Sequence, residues 1–148
     1  HLDDHVYAFN DIHIAASCQA DTESESKFLE TLEQYVSNYT DDTQISNQKV
    51  THISGYDTVQ AVIAYNHGEY EKTVELLYPV LRDNRLIAIG GSHAQRDLFE
   101  LILINACIKC ENMGVAQTLL KARKDRKPNS GQTDRLIQKL PNGLDTAE

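Results

Sequence analysis

Two stretches of this chain repeat one another at a distance of 43 residues. From Ala61 to Leu77, the small residues Ala61 and Ala64 are followed by Gly68, Tyr70, Thr73 and Leu77. From Cys107 to Leu120 the second half of that order returns, with Cys107 opposite Ala64, Ala116 opposite Thr73 and Leu120 opposite Leu77. Self-similarity of this kind marks units that cannot bury an apolar face alone and must stack. The small positions let neighbouring helix backbones approach. Any antiparallel helix pair places small residues at its crossings, so the spacing and the shared order carry more weight than the alanines alone.

The rest of the chain supplies helices to stack. Val6, Phe9, Ile12 and Ala16 recur at three- and four-residue steps and predict a helix from Asp3 or Asp4 to about Ala20. Thr22 with Glu25 has the form of a capping box before the amphipathic line Phe28, Leu32, Tyr35, Val36 and Tyr39. Tyr39 to Asn47 is polar and reads as a loop. A third helix begins somewhere between Ile45 and Asp57 and carries Val59, Val62, Ile63 and Tyr65 to the turn at Gly68. The fourth, Glu69 to Arg82, lines up Tyr70, Val74, Leu77 and Leu81, with Pro79 predicting a kink or an early end. Ser92 and Gln95 form a second capping box and open a long helix through Phe99, Ile102, Ala106 and Cys107. A sixth helix carries Ala116, Leu119 and Leu120 and stops before Pro128. A short seventh, capped by Asn129 or Ser130, presents Leu136, Ile137 and Leu140. No segment has a strand period. The expected fold is all-α: about seven helices in antiparallel hairpins, stacked over residues 1–140, with a frayed tail at 141–148.

The repeated order fits the tetratricopeptide pattern, in which small residues fall where the two helices of a hairpin meet and Gly and Tyr fall near the turn. Its period is ordinarily about 34 residues, so the spacing here places an insertion of about nine residues in the connector from Asn84 to Ser92. Longer strings are more specific. His5-Val-Tyr-Ala-Phe9-Asn10-Asp11-Ile-His13 and Ile89-Gly90-Gly91-Ser92-His-Ala94-Gln95-Arg96-Asp97, with Lys127-Pro128-Asn129-Ser130 and Arg135-Leu136-Ile137, resemble the C-terminal region of the tetratricopeptide repeat protein 38 family. The resemblance spans nearly the whole chain and implies a helical-repeat protein with further hairpins upstream. It implies no particular activity. The chain departs from that family at Gly131, where a proline would suit the first helical position, and between Tyr39 and Val50.

Composition narrows the partners. A net charge of −8 gives a field that repels polyanions, so nucleic acid is not expected. The basic run Lys121, Arg123, Lys124, Arg126 and Lys127 reads as a solvated helix end, where cations complement the macrodipole. The apolar stretch Leu98 to Ile108 is broken by Glu100 and Asn105 and falls short of a membrane span, so no membrane is expected. Three cysteines, Cys18, Cys107 and Cys110, do not make a disulfide framework and point to the cytoplasm.

Three constellations bear on chemistry. Asn10, Asp11 and His13 on the first helix, with Ser92, Gln95, Arg96 and Asp97 at the start of the fifth, would form a polar pocket if the segments meet. The competing reading is mutual satisfaction, with Ser92 and Gln95 capping the helix and Arg96 paired to a carboxylate such as Asp11. His1 and His5 share one helix face but lack a third ligand. Cys107-Ile-Lys-Cys110 lies near the end of a helix with no strand before it and reads as packed thiols rather than a redox pair. No cofactor is called for. The leading expectation is a non-catalytic scaffold that binds a protein or peptide, with Thr58, Tyr65, Asn66, Asn105 and Lys109 facing its groove. The alternative is a hydrolytic, metal or small-molecule site around Asn10, Asp11, His13, Arg96 and Asp97.

Overall fold

The computed structural model of the chain describes residue 12 and residues 23–38, 49–90 and 92–144. Among these residues every regular element is helical. The helices are α1 (Glu23–Ser37), α2 (Tyr56–Asn66), α3 (Tyr70–Arg82), α4 (Leu86–Ile89), α5 (His93–Lys109), α6 (Met113–Arg126) and α7 (Gly131–Ile137), with a π-helical turn at Thr51–Gly55 leading into α2. The predicted first helix and the polar loop fall outside the described residues, except that Ile12 is helical and buried in the core.

Packing follows chain order. The helix α2 packs on α3, α3 on α5, α5 on α6 and α6 on α7, while α1 and α5 also touch α2. The connectors His67–Glu69 and Cys110–Asn112 are too short for anything but a reversal, so α2 with α3 and α5 with α6 are antiparallel hairpins. Phe28 and Leu32 of α1, Val59 and Ala61 of α2, Leu77 and Val80 of α3, Leu103 and Ile104 of α5, and Leu120 of α6 are fully buried in one core. The apolar line expected on α3 shifts by one position. Thr73, Val74, Leu77 and Val80 are the buried residues, because α3 is covered by α2 on one side and α5 on the other, leaving Tyr70 and Leu81 at the edges.

Three helices end in the same way. At the end of α2, Glu69 N–H donates to the Ala64 carbonyl at 2.8 Å and Gly68 N–H to that of Tyr65 at 3.0 Å. Residues Arg85 and Asn84 make the same pair of bonds to Val80 and Leu81 at the end of α3, and Asn112 and Glu111 to Cys107 and Ile108 at the end of α5. This is the Schellman arrangement, which needs a left-handed residue after the helix. Gly68 (φ 77°) meets the need without strain, while Asn84 (φ 55°) and Glu111 (φ 60°) meet it with a side chain attached. Gly68 and Glu111 stand 43 residues apart, as do the fully buried Thr73, Leu77 and Val80 against Ala116, Leu120 and the nearly inaccessible Arg123. The two hairpins are thus built on one plan.

The start of the third predicted helix was open by many residues, and the structure supplies the reason. Helix is already present at Lys49 and Val50, and the π-helical turn that follows buries Thr51, Ser54 and Gly55, residues with no apolar signature. Thr58 Oγ1 donates to the Ser54 carbonyl at 2.7 Å, and Ser54 Oγ to that of Val50 at 3.3 Å, so hydroxyls are buried at small cost. Thr58 is fully buried and does not face a groove, a correction to the expectation above.

Pro79 neither shortens α3 nor ends it; the helix continues to Arg82 and is closed by the left-handed Asn84. The connector in which an insertion is expected holds the short helix α4, whose Leu86 and Ile89 are buried while Ile87 is 66% exposed. Gly90, at φ 90° and ψ −154°, closes it in a conformation that a side chain resists. The capping box at α5 is present in both directions: Gln95 N–H donates to Ser92 Oγ at 3.3 Å and Ser92 N–H to Gln95 Oε1 at 2.7 Å. Ser130, not Asn129, caps α7 by accepting from Thr133 N–H. Of the tail expected to fray, Leu144 packs against the core and the Gly143 carbonyl accepts from Gln117 Nε2 at 3.4 Å; residues 145–148 lie outside the described region.

Replacing the left-handed Glu111 by glycine removes a steric cost of about 1–2 kcal/mol and adds some unfolded-state entropy. Glu111→Gly is therefore expected to raise stability by about 0.5–1 kcal/mol in urea unfolding. Gly68→Ala, the same exchange reversed at the equivalent turn, is expected to lower it by a comparable amount.

Candidate functional site

The most polar interior feature is a cluster centred on Arg123. Its side chain is 1% exposed and extends from α6 toward α5. Arg123 grips Asp97 with both terminal nitrogens, Nη2 donating to Oδ2 at 2.8 Å, and Nη1 also donates to Glu100 Oε2 at 2.7 Å. Arg126 completes Glu100 from the same helix, and Lys127 Nζ reaches Asp97 Oδ1 at 2.9 Å. Lys124 bonds the Pro128 carbonyl at 2.7 Å and pairs with Asp134. The basic run is therefore not simply a solvated helix end: Arg123, Lys124, Arg126 and Lys127 are all engaged. Helical spacing puts Asp97 and Glu100 on one face of α5, and Arg123 and Arg126 on the facing stripe of α6, with Lys127 just past its end.

Burial decides the energetics. An exposed ion pair contributes at most about 1 kcal/mol, whereas removing one partner of a buried pair costs about 3–5 kcal/mol, because the other is left charged and dry. Arg123 holds the Asp97 carboxyl down at about 2, with Lys127 adding to the effect against the opposing influence of burial. Arg123 Nε is buried without a hydrogen-bond partner, so the cluster is not the most stable filling this space could have.

The cluster lies beside an open cavity of about 500 Å³ between α3, α4, α5 and α6, lined among others by Tyr78, Arg82, Ile87, Arg96, Leu119 and Arg126. The connector between α3 and α5 makes one wall of it through Asn84, Leu86 and Ile87. Arg82 lies about 6.0 Å from the Tyr78 ring centre and pairs with Asp83 at 2.9 Å. Arg96 Nη1 donates to the Gly90 carbonyl at 3.4 Å and its Nη2 meets His93 Nδ1 at 3.3 Å.

Of the residues singled out from the sequence, Arg96 and Asp97 line this cavity together, and Ser92 and Gln95 form the cap at the head of α5. Asn10, Asp11 and His13 lie outside the described residues, as do His1, His5 and Cys18. Asn66 is exposed near the end of α2, while Asn105 Nδ2 donates to its own helix at the Leu101 carbonyl, 2.9 Å away. Neither lines the cavity. Lys109 lines a separate hollow of about 460 Å³ beside Gly68, Tyr70 and Cys110. Tyr65 packs edge-on to Tyr70, ring centres 5.6 Å apart, and desolvation pushes its hydroxyl pKa up, with Tyr70 adding to the shift. The Cys107 thiol is fully buried and pushed up to about 12 by that burial, with Cys110 adding to it, which leaves it unreactive. Among the described residues no group of three His, Cys, Asp or Glu is placed to hold a metal, and no helix is long and apolar enough to cross a membrane.

Glu100, Arg123 and Arg126 were missed as site residues. For Arg123 the signal was present, because the 43-residue alignment carried three positions past Leu120 sets it opposite Val80, which is fully buried.

No family model matches the chain. No solved structure matches it either.

Arg123→Met is expected to destabilise the protein by about 3 kcal/mol in chemical unfolding, since it takes the buried partner from two carboxylates and leaves them only the more exposed Arg126 and Lys127. Replacing Arg123, Asp97 and Glu100 together by leucine is expected to restore stability to within about 1–2 kcal/mol of the parent. The Asp97 carboxyl is lowered on folding, so its contribution is complete above the ordinary carboxylate value of 3.8 and lost as pH falls toward about 2. An Asp97→Asn protein should accordingly show a flatter stability profile across that acid window.

Proposed function

We propose that this chain is part of a tetratricopeptide-like stack of helical hairpins, of the kind it resembles in the tetratricopeptide repeat protein 38 family, and that it holds a segment of a partner protein. The observation that carries the reading is the pairing of two hairpins on one plan with a cavity opened between them by the inserted helix α4. A stack of this kind buries its core between neighbouring units and leaves concave surface for a ligand. Here that surface combines aliphatic and aromatic side chains, Leu81, Ile87, Leu119 and Tyr78, with guanidinium groups. Such a mixture recurs at the energetic centres of protein interfaces.

The hydrolytic reading has less support. A general acid or base works best with its pKa near the operating pH, whereas Asp97 is held near 2 and gripped by Arg123 and Lys127. The free thiols Cys107 and Cys110 suit a reducing compartment, and the cytoplasm is the setting this proposal implies.

Affinity capture with the whole protein tests the reading. Ile87→Asp places a charge on a side chain that is 66% exposed, so folding should be unchanged by circular dichroism, while captured partners should fall about tenfold, equivalent to about 1.4 kcal/mol. Asn66→Ala, away from the cavity, should capture them as the parent does. Equal capture by Ile87→Asp would refute a role for this surface.

A further inference from the structure

We infer that the cavity between α3, α4, α5 and α6 takes an acidic segment of a partner, in which carboxylate side chains flank an aliphatic one. This deepens the binding role proposed above and rests on it.

The argument is one of charge complementarity at a place where the molecule departs from its own average. The chain as a whole carries −8. Around the cavity, cations prevail: Arg82, Arg96 and Arg126 line it, and Arg123 and Lys127 stand behind it, against Asp83, Asp97 and Glu100. The arrangement of the pairs matters more than the surplus. Asp97 and Glu100, the carboxylates that line the cavity, are both bound by Arg123 of α6, with Arg126 adding to Glu100 and Lys127, just past the helix, to Asp97. Their negative charge is spent on the buried cluster.

The rim guanidinium groups keep donors in reserve. A guanidinium has five N–H donors; Arg82 uses Nε and Nη2 on Asp83, and Arg126 uses Nη2 on Glu100. Both side chains are more than half exposed. Between them the lining is apolar, with Ile87 projecting from α4 and Leu119 from α6. A ligand that seats an aliphatic side chain against Ile87 and Leu119 brings neighbouring carboxylates to Arg82 and Arg126, where charge-assisted bonds form beside an apolar surface. A basic segment would meet guanidinium groups instead and be repelled.

The test uses the whole protein and a fluorescein-labelled peptide of Glu and Asp interspersed with Leu, measured by fluorescence anisotropy. Two companion peptides carry Gln and Asn in place of the acids, or Ser in place of Leu. The acidic leucine peptide should bind at least about tenfold more tightly than either companion, and more weakly as salt is raised. Arg82→Glu should weaken it about tenfold and Arg82→Lys by no more than about threefold. Lys72→Glu makes the same change in net charge beside the other hollow and should shift affinity by less than about twofold, because the effect is local. Equal weakening by Arg82→Glu and Lys72→Glu would overturn the inference, leaving only a response to net charge. Equal binding of the Gln and Asn peptide, lost in Ile87→Asp, would also overturn it while leaving the binding role standing. Binding of no peptide would overturn it too, and the capture experiment then decides the binding role separately.

Discussion

A single buried guanidinium sets the terms for the second half of the molecule. Arg123 occupies a position that its counterpart in the first hairpin, Val80, fills with an apolar side chain. It brings a charge into the core, and the fold accommodates it by facing it with Asp97 and Glu100 and backing those with Arg126 and Lys127. An apolar trio would fill the same volume at comparable stability. What the ion cluster adds is direction: a two-pronged grip on Asp97 is satisfied only at one rotation and one axial offset of α6 against α5. The second hairpin is held in register by this ion cluster, where the first has packed apolar side chains and the Thr73 hydroxyl donating to the Ala61 carbonyl at 3.4 Å.

That choice reaches the surface. Asp97 is bound by Arg123 and Lys127, and Glu100 is shared between Arg123 and the rim residue Arg126, so both carboxylates beside the neighbouring cavity are already paired. The cavity itself lies where the connector between hairpins folds into α4 rather than passing straight from α3 to α5. The helix between the hairpins and the buried ion cluster therefore meet at one place.

Much of the helical arrangement was legible because its signals are local. Ser92 and Gln95 are three residues apart and cap one another; Gly68 is a glycine where a left-handed residue is needed. The equivalent turn at Asn84 carried a weaker signal, since asparagine enters the left-handed region more readily than most residues, and the turn at Glu111 was silent, since a glutamate carries no preference for positive φ and adopts it here where the hairpin must close. The π-helical turn was silent too: Thr51, Ser54 and Gly55 look like surface residues, and the hydroxyls of Ser54 and Thr58 are buried by bonding to carbonyls one turn back. The site was half legible. Arg96 and Asp97 do share a cavity, but a run of five cations says nothing of carboxylates more than twenty residues upstream. Asn66 and Asn105 do not line that cavity.

The inserted helix has one more consequence. Arg85, at its head, donates to the Ile53 carbonyl and stands 3.6 Å from Asp57, while Leu86 and Ile89 are sunk into the core. Ile87 is thus carried on a strut anchored at several points, not on a flexible loop. Ordering a loose segment on binding can absorb a good part of the energy its contacts release. An apolar residue already locked in place asks for little such ordering, so whatever meets Ile87 finds half of the interface assembled before it arrives.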